Sequence, residues 1–260
     1  SLGGAIYGMK NTQKVTLDMM INHGKTVFNS SKKAFTVIDM PYQTYRTKNE
    51  ALINAKKLLN SEIEIIKFNI DDCWARDSGA IFLLNNENKL GGIDWEFNGW
   101  GKFKPYDSDN KIAKFMIEHS SAKYFKNNMI LEGGSIHVDG EGTLLTTEQC
   151  LLNKNRNTNL SKDEIEKNLK EYLGVNTIIW LKHGTDEGTD GHVDNVACFV
   201  KPGTIMALSC SDKYDSFYEK INENLEILKT SFATSNKVPS PQLNFRPNFG
   251  AFLYILFTKL

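Results

Sequence analysis

Four ionisable side chains recur at related positions in this 260-residue sequence and could act together on one small cation. Asp77, Glu132 and His192 are each followed four positions later by a β-branched residue, Ile81, Ile136 and Val196 in turn, and Asp194 lies two beyond His192. Trp74, three residues before Asp77, adds an aromatic face. Carboxylates in a concave apolar setting suit a planar guanidinium, whose five donors pair with them two bonds at a time. A histidine beside them is a general acid/base matched to neutral pH. A second reading stays open: His192 and Asp194, with Asp186, Glu187 and Asp190 just upstream, could hold a divalent cation. The histidines (His23, His119, His137, His183, His192) show no pairing at i+2 or i+4 that would favour metal.

These residues are 55 and then 60 positions apart, so the fold must bring them together. The pattern around them repeats. A strand-like run follows each: Ala80–Leu84, Ser135–Val138 and Val196–Val200. Turn-rich segments come next, at 85–89, 139–142 and 201–203, and then second strands at Leu90–Trp95, Thr143–Thr147 and Thr204–Ser209. These are hairpin signals. Ahead of each lie a helical pattern and a short apolar strand. The periodicity predicts helices over Asn49–Leu59, Asp107–Ser120 and Ser161–Leu173, the last opening on a capping box of Ser161 and Glu164. The strands expected after them are Ile63–Ile70, Met129–Leu131 and Asn176–Leu181. A fourth helix is expected at Lys213–Phe232, with no strand–motif–hairpin after it. Units of this kind cannot bury their faces alone. A closed ring of them would point Asp77, Glu132 and His192 at one centre. Three unrelated hairpins, each beginning with a surface charge, would give the same spacing.

Composition narrows the class. Lys and Arg total 31 and Asp and Glu total 31, so the formal net charge is zero and there is no basic footprint for nucleic acid or a polybasic membrane anchor. The longest apolar run, Ala251–Phe257, is far short of the ~20 residues a membrane helix needs. Four scattered cysteines without a CxxC pair, and a start that does not read as a signal peptide, lead us to expect a reduced, cytoplasmic chain.

Four stretches carry a family resemblance: 71–80 (DDCWARDSGA), 95–102 (WEFNGWGK), 131–157 (LEGGSIHVDGEGTLLTTEQCLLNKNRN) and 189–203 (TDGHVDNVACFVKPG). The sequence resembles the agmatine deiminases of the bacterial-type peptidylarginine deiminase family, over about residues 36–242. The resemblance implies an α/β fold, a pentein-type propeller of αββαβ units with fivefold pseudosymmetry, incomplete here, in a single domain over 1–260. It implies hydrolysis of agmatine to N-carbamoylputrescine and ammonia, a step towards putrescine, without metal or organic cofactor. It assigns Asp77 and Asp194 to clamping the guanidinium, His192 to acid/base work, Glu132 to orienting the guanidinium and supporting the histidine, and Trp74 to lining the substrate chain. It also implies a homo-oligomer.

The family's nucleophile is a cysteine in a glycine-rich GGNxHC-type motif near the C-terminus, and no such motif stands in this sequence. Residues 244–260 do not read as the family, so we expect a truncated or altered end and little or no turnover. Of the cysteines present, Cys150 and Cys198 read as structural and Cys210 lies past the ring centre. Cys73, beside Trp74, is the one expected near the constellation. The alternatives are a guanidinium-binding remnant without catalysis, or a metal-dependent hydrolase using His192 and Asp194.

Overall fold

The computed structural model describes residues 14–30, 43–59, 68–233 and 252–258. They fall into two compact units, Ser1–Asn69 and Ile70–Leu260. The first holds two helices, α1 (Leu17–Ser30) and α2 (Lys48–Leu59). Most of the strand expected at Ile63–Ile70 lies outside the described residues.

The second unit opens on a single-turn helix, α3 (Ala75–Ser78), and then runs through three three-stranded sheets. In the first sheet β1 (Ile81–Leu84) and β2 (Leu90–Glu96) form a hairpin, and β3 (Lys123–Ile130) adds parallel to β2 after helix α4 (Ile112–His119). In the second, β4 (Ile136–Val138) and β5 (Thr143–Thr147) form the hairpin. A one-turn helix, α5 (Glu148–Leu151), and helix α6 (Lys162–Leu173) then lead to β6 (Thr177–Leu181), parallel to β5. The third sheet joins β7 (Ala197–Lys201), β8 (Thr204–Cys210) and, after helix α7 (Tyr218–Ala233), β9 (Phe252–Thr258). Here the repeat breaks: β9 runs antiparallel to β8, where β3 and β6 run parallel to theirs. Strand β9, formed largely from the apolar run noted near the end, is a lone strand and not a further strand–motif–hairpin among the described residues.

Local chemistry explains these elements. The first two hairpin turns use the same device. Asn85 Oδ1 accepts the backbone N–H groups of Glu87 and Lys89, and Asp139 Oδ1 accepts those of Glu141 and Thr143. Helix α6 begins with the expected capping box, in which Ser161 Oγ accepts the Glu164 N–H and the Glu164 carboxylate accepts the Ser161 N–H. It ends at Gly174 in the left-handed region. Such a cap stabilises a helix by about 1 kcal/mol. Helix α4 packs closely on β2 because Gly92 has no side chain: a Cβ there would clash with Ile117 Cγ1.

Two cores flank the middle sheet. Helix α6 buries Ile165 and Leu169 against Ile93, Trp95, Met129 and Leu144. Helix α7 buries Ile221, Leu225 and Leu228 against Leu145, Leu181 and Ile205. Consecutive residues of β5, Leu144 and Leu145, are fully buried in different cores, as strand alternation requires. The middle sheet is thus fixed on both faces, and the turn that enters its hairpin inherits that rigidity. No helix among the described residues is long and apolar enough to cross a membrane.

Candidate active site

Each of the three hairpins is entered through a short helical turn, and each turn carries one of the singled-out residues. Asp77 lies in α3, just ahead of β1. Glu132 is extended at the head of a 3₁₀ turn, Gly133–Ser135, ahead of β4. His192 precedes a 3₁₀ turn, Val193–Asn195, ahead of β7, and Asp194 sits within it. The three turns meet at Gly134. A Cβ built there would lie 2.5 Å from His192 Nδ1, 2.7 Å from Asp77 Oδ1 and 2.8 Å from Asp194 Oδ2. Only a residue without a side chain lets the three groups approach this point. The Gly134 N–H itself donates to Asp77 Oδ1 at 2.8 Å.

Around this point His192 stands between two carboxylates, Nδ1 3.8 Å from Asp77 Oδ1 and Nε2 3.6 Å from Glu132 Oε2. Both separations exceed a hydrogen bond. The His192 side chain is almost wholly buried, and its Nε2 has no hydrogen-bond partner. Burial disfavours the imidazolium, but Glu132, Asp77 and Asp194 outweigh it, and the His192 pKa is raised above its usual 6.5. Burial raises the Asp77 carboxyl, against the pull of His192 and the N–H groups of Gly134 and Trp100. Asp194 is exposed as a residue, but its carboxylate comes up against Gly134 on the site side. Desolvation raises it, with help from Asp77 and against His192 and Arg76.

Surrounding loops hold these groups in place. Asp109 accepts the N–H groups of Asp71 and Asp72, and Asp71 accepts that of Ser108, which fixes the segment leading to Trp74 and Asp77. Ahead of His192, Asp186 accepts from the Gly188 and Thr189 backbones and from the Thr189 hydroxyl, so it builds a loop. Thr147, at the end of β5, donates to the Gly191 carbonyl at 2.6 Å. His137 is structural: its Nδ1 accepts the Phe199 N–H and ties β4 to β7.

Three features were not anticipated from sequence. Trp100, in the left-handed region at φ 55°, donates its indole N–H to Asp77 Oδ2 at 3.0 Å. Arg156, its side chain fully buried, places Nε 2.6 Å from Glu132 Oε1, a close ion pair without the alignment of a hydrogen bond. Third, Cys150 comes beside Glu132, because α5 follows β5 directly. Its Sγ lies 3.9 Å from Glu132 Oε2, whereas Cys73 is exposed. Burial, reinforced by Glu132, pushes the Cys150 thiol well above its ordinary range, which keeps it protonated and unreactive.

As for metal, Glu132, Cys150 and His192 bring one ligand atom each within 4.8 Å of one another. A metal there would have to displace the Cys150 proton. Asp190, expected beside His192 and Asp194 in the metal reading, faces Lys102, Asn155 and Arg156 instead. Burial alone would raise its carboxyl, but these donors lower it.

The architecture is thus a mixed α/β protein of repeated hairpin units whose turns gather carboxylates around one histidine. Known proteins share it. The Porphyromonas-type peptidyl-arginine deiminase family matches residues 27–244, and the chain belongs to that family. It is 43% identical over 182 residues to an agmatine deiminase of Pseudomonas aeruginosa, covering 67% of this chain and 50% of that one. The solved agmatine deiminase of Enterococcus faecalis has a TM-score of 0.64 at 39% identity, covering 68% of this chain and 50% of its own. A cysteine-to-serine variant of the C. jejuni agmatine deiminase, with substrate bound, has a TM-score of 0.65 at 34% identity, covering 76% and 60%. The chain spans about half the length of the curated relatives it matches.

Proposed function

We propose that this chain binds the guanidinium of agmatine in the cluster of Asp77, Glu132, His192 and Asp194, with Trp74 beside the aliphatic arm. The observation that carries this reading is the crowding at Gly134, where two carboxylates and an imidazole approach one point. A planar cation with five donors suits such a surround better than a compact ammonium does. The reaction we assign to the site is the one its relatives are named for: agmatine and water give N-carbamoylputrescine and ammonia. Asp77 and Asp194 grip the guanidinium nitrogens, Glu132 orients the group from below, and His192 moves protons to the departing ammonia and from the incoming water. The units belong, on this reading, to an αββαβ propeller.

Chemistry at a guanidinium carbon needs a nucleophile, because resonance makes that carbon a poor target for unassisted water. A thiolate attack would form a thiouronium, release ammonia, and then be cleaved by water. Three of the four cysteines are unsuited to it, and Cys73 is tested by substitution below. Cys150 and Cys198 are both raised by burial, Cys210 is buried and donates to the Asp212 carbonyl, and Cys73 is exposed. We therefore propose that the 260-residue chain binds agmatine and turns it over slowly or not at all. The test combines agmatine-dependent thermal stabilisation with an assay for released ammonia. Stabilisation without ammonia is the expected result. Robust ammonia release that survives Cys73→Ser and falls with chelators would replace this reading with a metal-dependent one.

A further inference from the structure

We propose that Arg156 is a positioning residue that sets both carboxylate walls of the site through one buried guanidinium. This rests on the guanidinium-binding reading above and adds to it a residue outside the cluster.

Two connections carry the inference. The first is direct: Arg156 Nε lies 2.6 Å from Glu132 Oε1, which leaves Oε2 facing His192. The second runs through Trp100. Arg156 Nη1 donates to the Trp100 carbonyl at 2.7 Å, and the Trp100 indole donates to Asp77 Oδ2 at 3.0 Å. Trp100 holds a backbone conformation that a bulky residue adopts only when its surroundings impose it. Arg156 supplies part of that imposition, and Asn155 Nδ2 adds a longer contact to the same carbonyl at 3.5 Å.

Arg156 is itself held on its far side. Nη1 also donates to Asn155 Oδ1 at 2.6 Å and to Asp190 Oδ2 at 3.2 Å, and Nη2 to the Thr189 carbonyl at 3.2 Å. Lys102 pairs with the other Asp190 oxygen at 2.5 Å. The planar fork is what permits one residue to face Glu132, Trp100, Thr189 and Asp190 together, and a lysine cannot reproduce it.

The test uses the 260-residue chain with Arg156→Lys, Arg156→Gln and Trp100→Phe. Calorimetry reads agmatine affinity, and the tryptophan indole N–H signals are read by ¹H–¹⁵N spectroscopy without ligand. The Trp100 signal is assigned by its loss in Trp100→Phe. Hydrogen bonds to charged groups are each worth roughly 10- to 100-fold in binding. We expect Arg156→Gln to lose at least about 30-fold in affinity, Arg156→Lys about 10-fold, and Trp100→Phe, which spares Glu132, less than Arg156→Gln. Both Arg156 variants should move the Trp100 indole signal while the Trp180 signal, bonded to Glu166, stays put. If Arg156→Gln does not fold, Arg156→Lys and Trp100→Phe decide. Should the unmodified chain fail to bind agmatine, the guanidinium reading falls, and the ligand-free indole signals still judge Arg156. An unmoved Trp100 signal in Arg156→Lys, or movement of every indole alike, would overturn the positioning role.

Discussion

The two walls of the site differ in their relation to water, and the difference separates what fixes charge from what admits a ligand. On the inner wall Glu132 is 0% exposed, His192 1% and Arg156 5%. On the outer wall Trp74 is 53% exposed and Asp194 is open to solvent. On the inner wall Glu132 leads into β4, which pairs with β5, the strand shared by two cores, and the buried Arg156 braces its carboxylate. The outer-wall groups keep contact with water. Electrostatic interactions are worth more where water is excluded, so changes to the inner wall should have the larger effects.

Substitution at the junction should hurt most. Gly134→Ala would force a Cβ into three site side chains, and we expect more than about 100-fold loss of agmatine affinity with a destabilisation of about 1–3 kcal/mol, read by calorimetry and urea unfolding. Native affinity in that variant would mean the walls do not meet there. Next comes Asp77→Asn, which keeps an acceptor for Gly134 or Trp100 but loses the charge. It should weaken binding roughly 10- to 100-fold.

The pH dependence is smaller and has two opposite signs. His192 has a folded pKa raised above 6.5. The stability its charge contributes is complete below the unfolded value and lost as pH rises through the folded one. Asp77 and Asp194, also raised, act in the same direction. Agmatine binding should run the other way, strengthening by up to about tenfold per pH unit as His192 gives up the proton that repels a cation. Thermal melts and titrations between pH 5.5 and 8.5 would show whether the free chain loses stability while its complex gains. Smallest of all, Trp74→Ala on the outer wall should cost less than about fivefold, in line with partial burial of an aromatic face.

What the sequence disclosed follows the same division. The hairpins, the α6 capping box and the register that aligns Asp77, Glu132 and His192 were legible because strand alternation, turn chemistry and helix periodicity are local. The start of β3 at Lys123 was not, since its first four residues are exposed and Lys126, Asn127 and Asn128 break its apolar run. Nor was β9, because its pairing to β8 depends on tertiary context. Arg156 and Trp100 were hidden for a related reason: both lie in irregular segments, where no period says which way a side chain points. An arginine among the asparagines of 153–159 was the available signal, and only its burial shows that it turns inward. Cys150 is structural, as read from the sequence, but its closeness to Glu132 was not legible because the turn of α5 leaves no trace in hydrophobic spacing.

One titration tests the central claim most directly. Calorimetry of the 260-residue chain with agmatine and, separately, with putrescine compares the same four-carbon arm with and without a guanidinium. If the cluster at Gly134 recognises that planar head, agmatine binds saturably at one site per chain and at least about tenfold more tightly than putrescine. Equal affinities, or no saturable agmatine binding at pH 8, would contradict it.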